Sequence, residues 1–211
     1  MIDLNRKLPI GIQTFEKIRK GNYLYVDKTA LVGKMVSTSI PYFLSRPRRF
    51  GKSLLLSTIE AYMRGKKELF KGLAIEKLEK EWIEYPILHL DLNAERYSDT
   101  GSLGSILNRY LNLWEDRWGK DKREITPADR FTGVIRRACE KSGRRVVILV
   151  DEYDKPLLQS IGNDKLQEEY RAILKAFYGV LKTMDGYIKL AFLTGVTKFG
   201  KVSVFSDLNN L

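Results

Sequence analysis

The sequence has little of the side-chain chemistry on which metal centres and nucleophilic active sites commonly depend. Its 211 residues include one cysteine and one histidine. A single cysteine excludes an internal disulfide and any multi-thiolate metal site, and a single histidine argues against a zinc site and a histidine-based triad. We expect Cys139 to be a buried structural thiol within an amphipathic helix, and His89 to be a hydrogen-bonded imidazole in the core or at a sheet edge.

Long hydrophobic runs are also missing from the sequence. No uninterrupted apolar stretch approaches the ~18 residues that indicate a transmembrane helix. The stretch from Met1 to Lys7 lacks the apolar core of a signal peptide. A hydrophobic content of 44% and a charged content of 30% are typical of globular proteins. We therefore expect a cytoplasmic protein with a single domain over residues 1–211, in which residues 1–39 lead into the first core strand.

Basic residues outnumber acidic ones, which gives a formal net charge of +11. Such a charge favours polyanionic partners, and nucleic acid is one candidate partner. The densest basic cluster consists of Arg46, Arg48 and Arg49. This cluster lies in a loop with its own reason to be basic, because the phosphates of a nucleotide would explain it without nucleic acid.

That loop lies between an apolar run at residues 40–44 and a helical Leu/Ile pattern that follows Gly51-Lys52-Ser53. Strand, basic loop, Gly-Lys-Ser and helix is the layout of a phosphate-binding P-loop. Gly51 would let the backbone approach phosphate, Lys52 would reach the β- and γ-phosphates, and the Ser53 hydroxyl would ligate Mg²⁺. The residues expected to bind the nucleotide are Arg46, Arg48, Arg49, Phe50, Gly51, Lys52, Ser53 and Leu54.

The pattern GxxxxGK[ST] has glycine where this chain has Arg46, so a helix start that merely contains Lys and Ser is the alternative. A second motif about 100 residues later favours the P-loop. Five aliphatic residues at 146–150 precede Asp151, Glu152 and Asp154, as in a central parallel strand with carboxylates at its carboxyl end. Asp151 would hold Mg²⁺ and Glu152 would polarise the attacking water, as in a Walker B site. The alternative, a solvated acidic turn, suits Asp154 better than Asp151.

These motifs resemble those of the bacterial AAA-ATPase-like family, a group of uncharacterised P-loop proteins. The resemblance covers nearly the whole chain. It is carried by the segments YVDKT (25–29), PYFLSRPRRFGKSLLLST (41–58), VVILVDEYDKPL (146–157) and FLTGVTKFGKVSVFSDLNNL (192–211). In that family an arginine-rich loop replaces the first glycine, so the resemblance implies that Arg46 is a family feature.

The resemblance implies an α/β fold: a three-layer, additional-strand P-loop NTPase with a mainly parallel sheet and helices on both faces. In that fold the strand at 187–193 lies between the P-loop and Walker B strands, and Thr194 at its end senses the γ-phosphate. Thr197 and Lys198 are the next candidates for this sensor. A turn formed by Thr194 and Gly195 is the alternative. The strand at 86–92 would lie at an edge.

The resemblance also bears on the rest of the protein and on the nucleotide base. Many relatives carry a C-terminal nuclease-like domain of the PD-(D/E)XK type. Only four parallel strands are found where five are usual, so we expect a fragment of a longer protein or a fifth strand supplied from elsewhere. Ile12, Phe15 and Tyr25 are candidates for contact with adenine, and packing of these side chains against the sheet is the alternative.

Two functions follow as hypotheses. The first is an ATP-binding domain with slow Mg²⁺-dependent hydrolysis, in which Glu152, Lys52 and Thr194 are catalytic and Ser53 and Asp151 hold the metal. Any arginine finger would come from the arginine-rich loop or from a partner. The second is a nucleotide-responsive or catalytically silent module whose basic surface binds nucleic acid or a nuclease domain.

Overall fold

The computed structural model describes residues 6–38 and 41–197. Lys198 and the closing polar residues, on which two of the expectations above rest, lie outside this part. The strands are β1 (Tyr42–Ser45), β2 (Ile87–Asp91), β3 (Val146–Asp151) and β4 (Ile188–Gly195). The α-helices are α1 (Phe15–Lys20), α2 (Thr29–Ser37), α3 (Lys52–Met63), α4 (Ala74–Leu78), α5 (Thr100–Trp118), α6 (Pro127–Ser142), α7 (Lys155–Gln159) and α8 (Asp164–Thr183).

The four strands form one sheet in the order β1-β4-β3-β2, and every neighbouring pair is parallel. This order confirms that the strand carrying Thr194 lies between the other two motif-bearing strands and that β2 lies at an edge. In a parallel sheet all the carboxyl ends lie on one side. The register places Thr194 opposite Leu44, and Asp151 opposite Asp91. Thr194 and the two aspartates therefore lie on that side of the sheet.

Strand β3 is buried along its whole length, as its uninterrupted aliphatic sequence predicts. Val146, Ile148 and Val150 pack in a cluster with residues of α5, α6 and α8, whereas Val147 and Leu149 pack with residues of α2 and α3. Helices therefore flank the sheet. Burial of each such aliphatic side chain stabilises the fold by about 1.5–3 kcal/mol, which makes β3 a rigid support for whatever follows it.

Sequence signals mark both ends of helix α6, which packs against β3. Helix α6 starts with a capping box in which Thr126 and Asp129 satisfy each other's backbone, followed by Pro127, and it ends at Gly143 in the left-handed region, as the sequence predicts. A buried ion pair joins α6 to α5: Arg130 Nε donates to Glu115 Oε1 at 2.7 Å and Nη2 to Oε2 at 2.8 Å.

No helix in residues 6–38 and 41–197 combines the length and apolarity needed to span a bilayer.

Candidate functional site

The basic loop at residues 46–51, the proposed phosphate loop, connects β1 to α3. Gly51 caps α3 with φ 74°, a left-handed conformation that favours glycine, and nothing lies within 4 Å of the position that a Cβ would occupy. No described side chain hydrogen-bonds to the start of this 12-residue helix. Its first N–H groups therefore have no side-chain acceptor among the described residues and lie at the positive end of the helix dipole, and such an arrangement suits an anion.

Lys52 is buried at the base of this loop, with 4% of its surface exposed. Its ammonium donates to the carbonyl oxygens of Arg46 at 3.1 Å and Pro47 at 3.4 Å. The same Nζ lies 3.3 Å from Glu152 Oε1. The structure thus brings Lys52 together with the Glu152 carboxylate, which follows β3 and lies 100 residues away along the chain.

Thr194 links the ends of β3 and β4. It is fully buried, and its hydroxyl donates to Asp151 Oδ1 at 2.5 Å and accepts from the Glu152 N–H at 3.4 Å. Thr194 and Gly195 belong to strand β4, so the alternative of a Thr-Gly turn is wrong. The pairing fixes the carboxylate of Asp151, which is itself buried, beside the hydroxyl of Thr194.

Glu152 has an unusual backbone for a non-glycine residue, with φ 57°. A left-handed residue of this kind costs on the order of 1–2 kcal/mol and persists where the surrounding structure imposes it. Here the turn after β3 lets the Glu152 side chain reach Lys52 while Asp151 stays hydrogen-bonded to Thr194. The two adjacent carboxylates therefore have different partners.

Asp154 corrects the interpretation of this turn. The sequence favoured a solvated position for it, but the structure buries it completely. Its Oδ2 accepts three hydrogen bonds from the segment after β4: from Val196 N at 2.9 Å, Thr197 N at 2.6 Å and Thr197 Oγ1 at 2.5 Å. No local signal distinguishes this carboxylate from its neighbours, because its donors come from residues more than 40 positions away.

The arginine-rich part of the loop is exposed. Arg46, Arg48 and Arg49 all lie at the surface, and Phe50 has 67% of its surface exposed. The backbone N–H of Arg46 donates to Gly195 O at 3.1 Å and so extends the pairing of β1 with β4 by one residue. The loop is thus anchored at its base and presents three guanidinium groups and one aromatic ring to solvent.

The family follows from sequence comparison. The sequence profile of a family described as "Predicted AAA-ATPase" matches residues 9–205. The chain belongs to the AAA-ATPase-like family. An "Uncharacterized protein in vnfD 5'region" of Azotobacter chroococcum mcd 1 is 42% identical over 207 residues, which cover 98% of this chain and 40% of that protein. The chain thus spans about two-fifths of the length of this curated relative. No solved structure matches the chain.

Two further residues expected to bind the nucleotide, Ser53 and Leu54, lie in the first turn of α3. Ser53 is half-buried in the first turn of α3. Leu54, also half-buried, packs beside Phe15 in a satellite cluster. Phe15 has no exposed surface and lies between Tyr25, with ring centroids 5.1 Å apart, and Phe70, at 4.9 Å. Phe15 therefore packs in a hydrophobic cluster and has no face available for a base.

The single histidine and cysteine have structural surroundings. His89 Nδ1 lies 2.8 Å from Glu60 Oε2, which confirms the expectation of a hydrogen-bonded imidazole. Burial raises the pKa of Glu60, but hydrogen bonds with His89 and Arg64 outweigh burial and lower it to about 2. Cys139 is only half-buried, less than expected, because it packs at the margin of the main core. Across residues 6–38 and 41–197, no cluster of three or more His, Cys, Asp or Glu side chains is arranged for a metal.

Proposed function

We propose that this AAA-ATPase-like chain binds ATP with Mg²⁺ between the phosphate loop and the end of β3, and that it hydrolyses ATP slowly. The observation that carries the proposal is the 3.3 Å approach of Lys52 Nζ to Glu152 Oε1 beneath a loop whose helix start is left uncapped. The strand order supports the further assignment of a three-layer, additional-strand P-loop NTPase with an incomplete sheet.

Phosphate would be bound mainly by backbone. The N–H groups that follow Gly51 at the start of α3 provide donors, and Gly51 leaves room for the phosphate oxygens to approach them. Lys52 already lies under the loop, so its ammonium needs only to exchange one partner to contact the β- and γ-phosphates. The exposed guanidinium groups of Arg46, Arg48 and Arg49 add positive charge at the loop surface.

The residues present fit a magnesium ion. Ser53 offers a hydroxyl and Asp151 a buried carboxylate of which Oδ1 already accepts from Thr194, and such oxygen donors suit Mg²⁺, which takes few protein ligands when phosphate is present. When bound, Mg²⁺ would neutralise charge that develops on the transferred phosphoryl group. Thr194 keeps the Asp151 carboxylate oriented for this task.

For hydrolysis, Glu152 would accept a hydrogen bond from the attacking water and orient it toward the γ-phosphate. In the structure this carboxylate pairs with Lys52. Binding of the triphosphate would draw Lys52 away and leave Glu152 available for the water. Thr194 contacts the Asp151 carboxylate and the Glu152 backbone N–H, and it is the residue that we propose to sense the γ-phosphate.

The expected rate is low. An arginine finger contributes about 10³–10⁵ in rate, and it acts from a position in contact with the γ-phosphate. A finger would have to come from Arg46, Arg48 or Arg49, which are exposed in this loop, or from a partner. We propose that the full-length protein has a C-terminal nuclease-like domain, on the basis of the family resemblance and the greater length of the relative. We also propose a cytoplasmic location, where ATP is available.

The test compares Lys52→Ala with Lys20→Ala, which removes the same charge from an exposed ion pair with Glu16. We expect Mg²⁺–ATP to raise the melting temperature of the unaltered chain and of Lys20→Ala, and not that of Lys52→Ala. Phosphate release should depend on Mg²⁺ and disappear in Glu152→Gln. Equal calorimetric affinity for ATP in Lys52→Ala and in the unaltered chain would show that the proposal is wrong.

A silent interaction module is the second candidate, and the exposed Arg48, Arg49 and Phe50 favour it. Guanidinium groups beside an exposed aromatic ring suit the backbone and bases of single-stranded nucleic acid. This candidate predicts DNA binding that weakens steeply with salt, with no phosphate release. Turnover that Glu152→Gln abolishes would instead favour the ATPase.

A further inference from the structure

The segment that follows β4 is tied to the turn that follows β3. Asp154 Oδ2 accepts from both N–H groups of Val196 and Thr197 and from the Thr197 hydroxyl. The Tyr153 hydroxyl donates to Thr197 O at 2.7 Å, and the Tyr153 N–H donates to Thr194 O at 2.8 Å. We call Tyr153 and Asp154 the clamp.

Gly195 makes the clamp sterically feasible. A Cβ at this position would lie 2.6 Å from Tyr153 Cε1 and 2.7 Å from Asp154 Oδ1. Such distances are far inside van der Waals contact, and the atoms concerned belong to a ring and a carboxylate that are both buried. Glycine is therefore needed here for close approach, since its Cβ position is already filled by the clamp.

Burial of the Asp154 carboxylate in the clamp is energetically unfavourable. Asp154 is fully buried, and its Oδ1 has no hydrogen-bond partner in the part of the chain that the structure describes. A buried carboxylate with one unsatisfied oxygen is costly, and a neutral side chain could accept the same donors. The cost suggests a task beyond packing.

The position of Thr194, close to the clamped segment, indicates what this task is. Thr194 lies two residues before the clamped Val196, and the Thr194 hydroxyl contacts Asp151 and the Glu152 backbone. We propose that Tyr153 and Asp154 are positioning residues, which fix Thr194 against Asp151 and Glu152 so that the site distinguishes ATP from ADP. The proposal rests on the proposed nucleotide site. Neither clamp residue belongs to the set expected to contact phosphate, magnesium or the attacking water.

A loosened clamp should affect the γ-phosphate selectively. The β-phosphate would be held by the amides at the start of α3 and by Lys52, which lie outside the clamp. Thr194 would lose its fixed position when the donors of residues 196 and 197 lose their acceptor. ATP affinity should therefore fall while ADP affinity stays nearly constant.

The experiment uses Asp154→Ala, Asp154→Asn and Thr197→Val, with Asp185→Ala as a control that removes an exposed carboxylate of equal charge. Titration calorimetry with Mg²⁺ measures ADP and a non-hydrolysable ATP analogue. Hydrogen exchange of the Val196 and Thr197 amides reports on the clamp without nucleotide. Asn retains one acceptor oxygen for the donors, and Thr197→Val removes only one donor, so a usable variant remains if Asp154→Ala does not fold.

For Asp154→Ala we expect roughly tenfold faster exchange of both amides, about tenfold weaker binding of the ATP analogue, and ADP binding within about twofold of the unaltered chain. Thr197→Val should show the same pattern at about threefold, and Asp154→Asn should recover part of the loss. Faster amide exchange with an unchanged ratio of ATP-analogue to ADP affinity would overturn the positioning role alone. If the unaltered chain binds neither nucleotide, the nucleotide site itself is refuted and the positioning role with it.

Discussion

Replacement of Glu152 by glutamine should strengthen ATP binding although it abolishes hydrolysis. The Glu152 carboxylate lies 3.3 Å from Lys52 Nζ, so a triphosphate bound as proposed would compete with it for the same ammonium. Glutamine has nearly the same size and retains a carbonyl acceptor. It removes the negative charge that both holds Lys52 and repels phosphate.

The size of the gain follows from the geometry of the pair. Two unit charges 3.3 Å apart attract by about 5 kcal/mol at an effective dielectric constant of ~20. Net coupling energies of contacting pairs are smaller, about 0.5–3 kcal/mol, because desolvation opposes the attraction. A release of ~1–2 kcal/mol corresponds to ATP binding that is about 5- to 30-fold tighter.

The assay is calorimetric titration with a non-hydrolysable ATP analogue and Mg²⁺, so that turnover does not distort the affinity. Glu168→Gln is the matched control, since it removes the same charge from an exposed residue that pairs with Arg171. The control should bind like the unaltered chain. Equal or weaker binding by Glu152→Gln, with a normal control, would refute the idea that ATP must displace this ion pair.

Three further predictions concern stability, measured by urea denaturation. Arg130→Met removes both hydrogen bonds from the guanidinium to the buried carboxylate of Glu115 and leaves only Lys120, 3.8 Å away, as its cationic partner, so the free energy of unfolding should fall by about 3 kcal/mol; a loss below about 1 kcal/mol would contradict the assignment. Glu60→Gln should lower it by about 1–2 kcal/mol at pH 7, after allowance for partial exposure. Because the pKa of Glu60 is depressed from 4.5 to about 2, this deficit should persist above pH 4.5 and vanish as the pH falls toward 2; a deficit independent of pH would refute it. Gly65 and Gly143 both have φ 66°, but a Cβ at Gly65 would meet a carbonyl oxygen at 2.6 Å whereas Gly143 has open space, so Gly65→Ala should destabilise more than Gly143→Ala; equal losses would show that backbone conformation alone decides the cost.

The strands could be predicted because the decisive signals are local, whereas their order came from the family resemblance. An uninterrupted aliphatic run such as 146–150 is typical of a strand buried on both faces, and an acid directly after it marks the strand end. The Gly51-Lys52-Ser53 segment likewise marks a helix start beside a basic loop. The family resemblance then supplied the neighbours of each strand, and the structure agrees with them.

The partners of individual side chains could not be predicted in the same way. Asp154 is surrounded in sequence by Tyr153 and Lys155, and nothing in that context shows that its donors are Val196 and Thr197. The contact of Lys52 with Glu152 also has no signal in the sequence, because the motifs predict a nucleotide between these two side chains. Both features depend on how far two strand ends approach each other, which periodicity does not specify.

The pairing of β1 with β4 has a consequence for biosynthesis. The first of these strands ends at Ser45, and the described partner that holds it in the sheet is completed only at Gly195, 150 residues later. On the ribosome, the N-terminal strand must therefore wait for most of the chain to emerge before it can dock. A recombinant fragment that ends before Ile188 should retain the glycine-lysine-serine motif but lack β4, the strand with which β1 pairs.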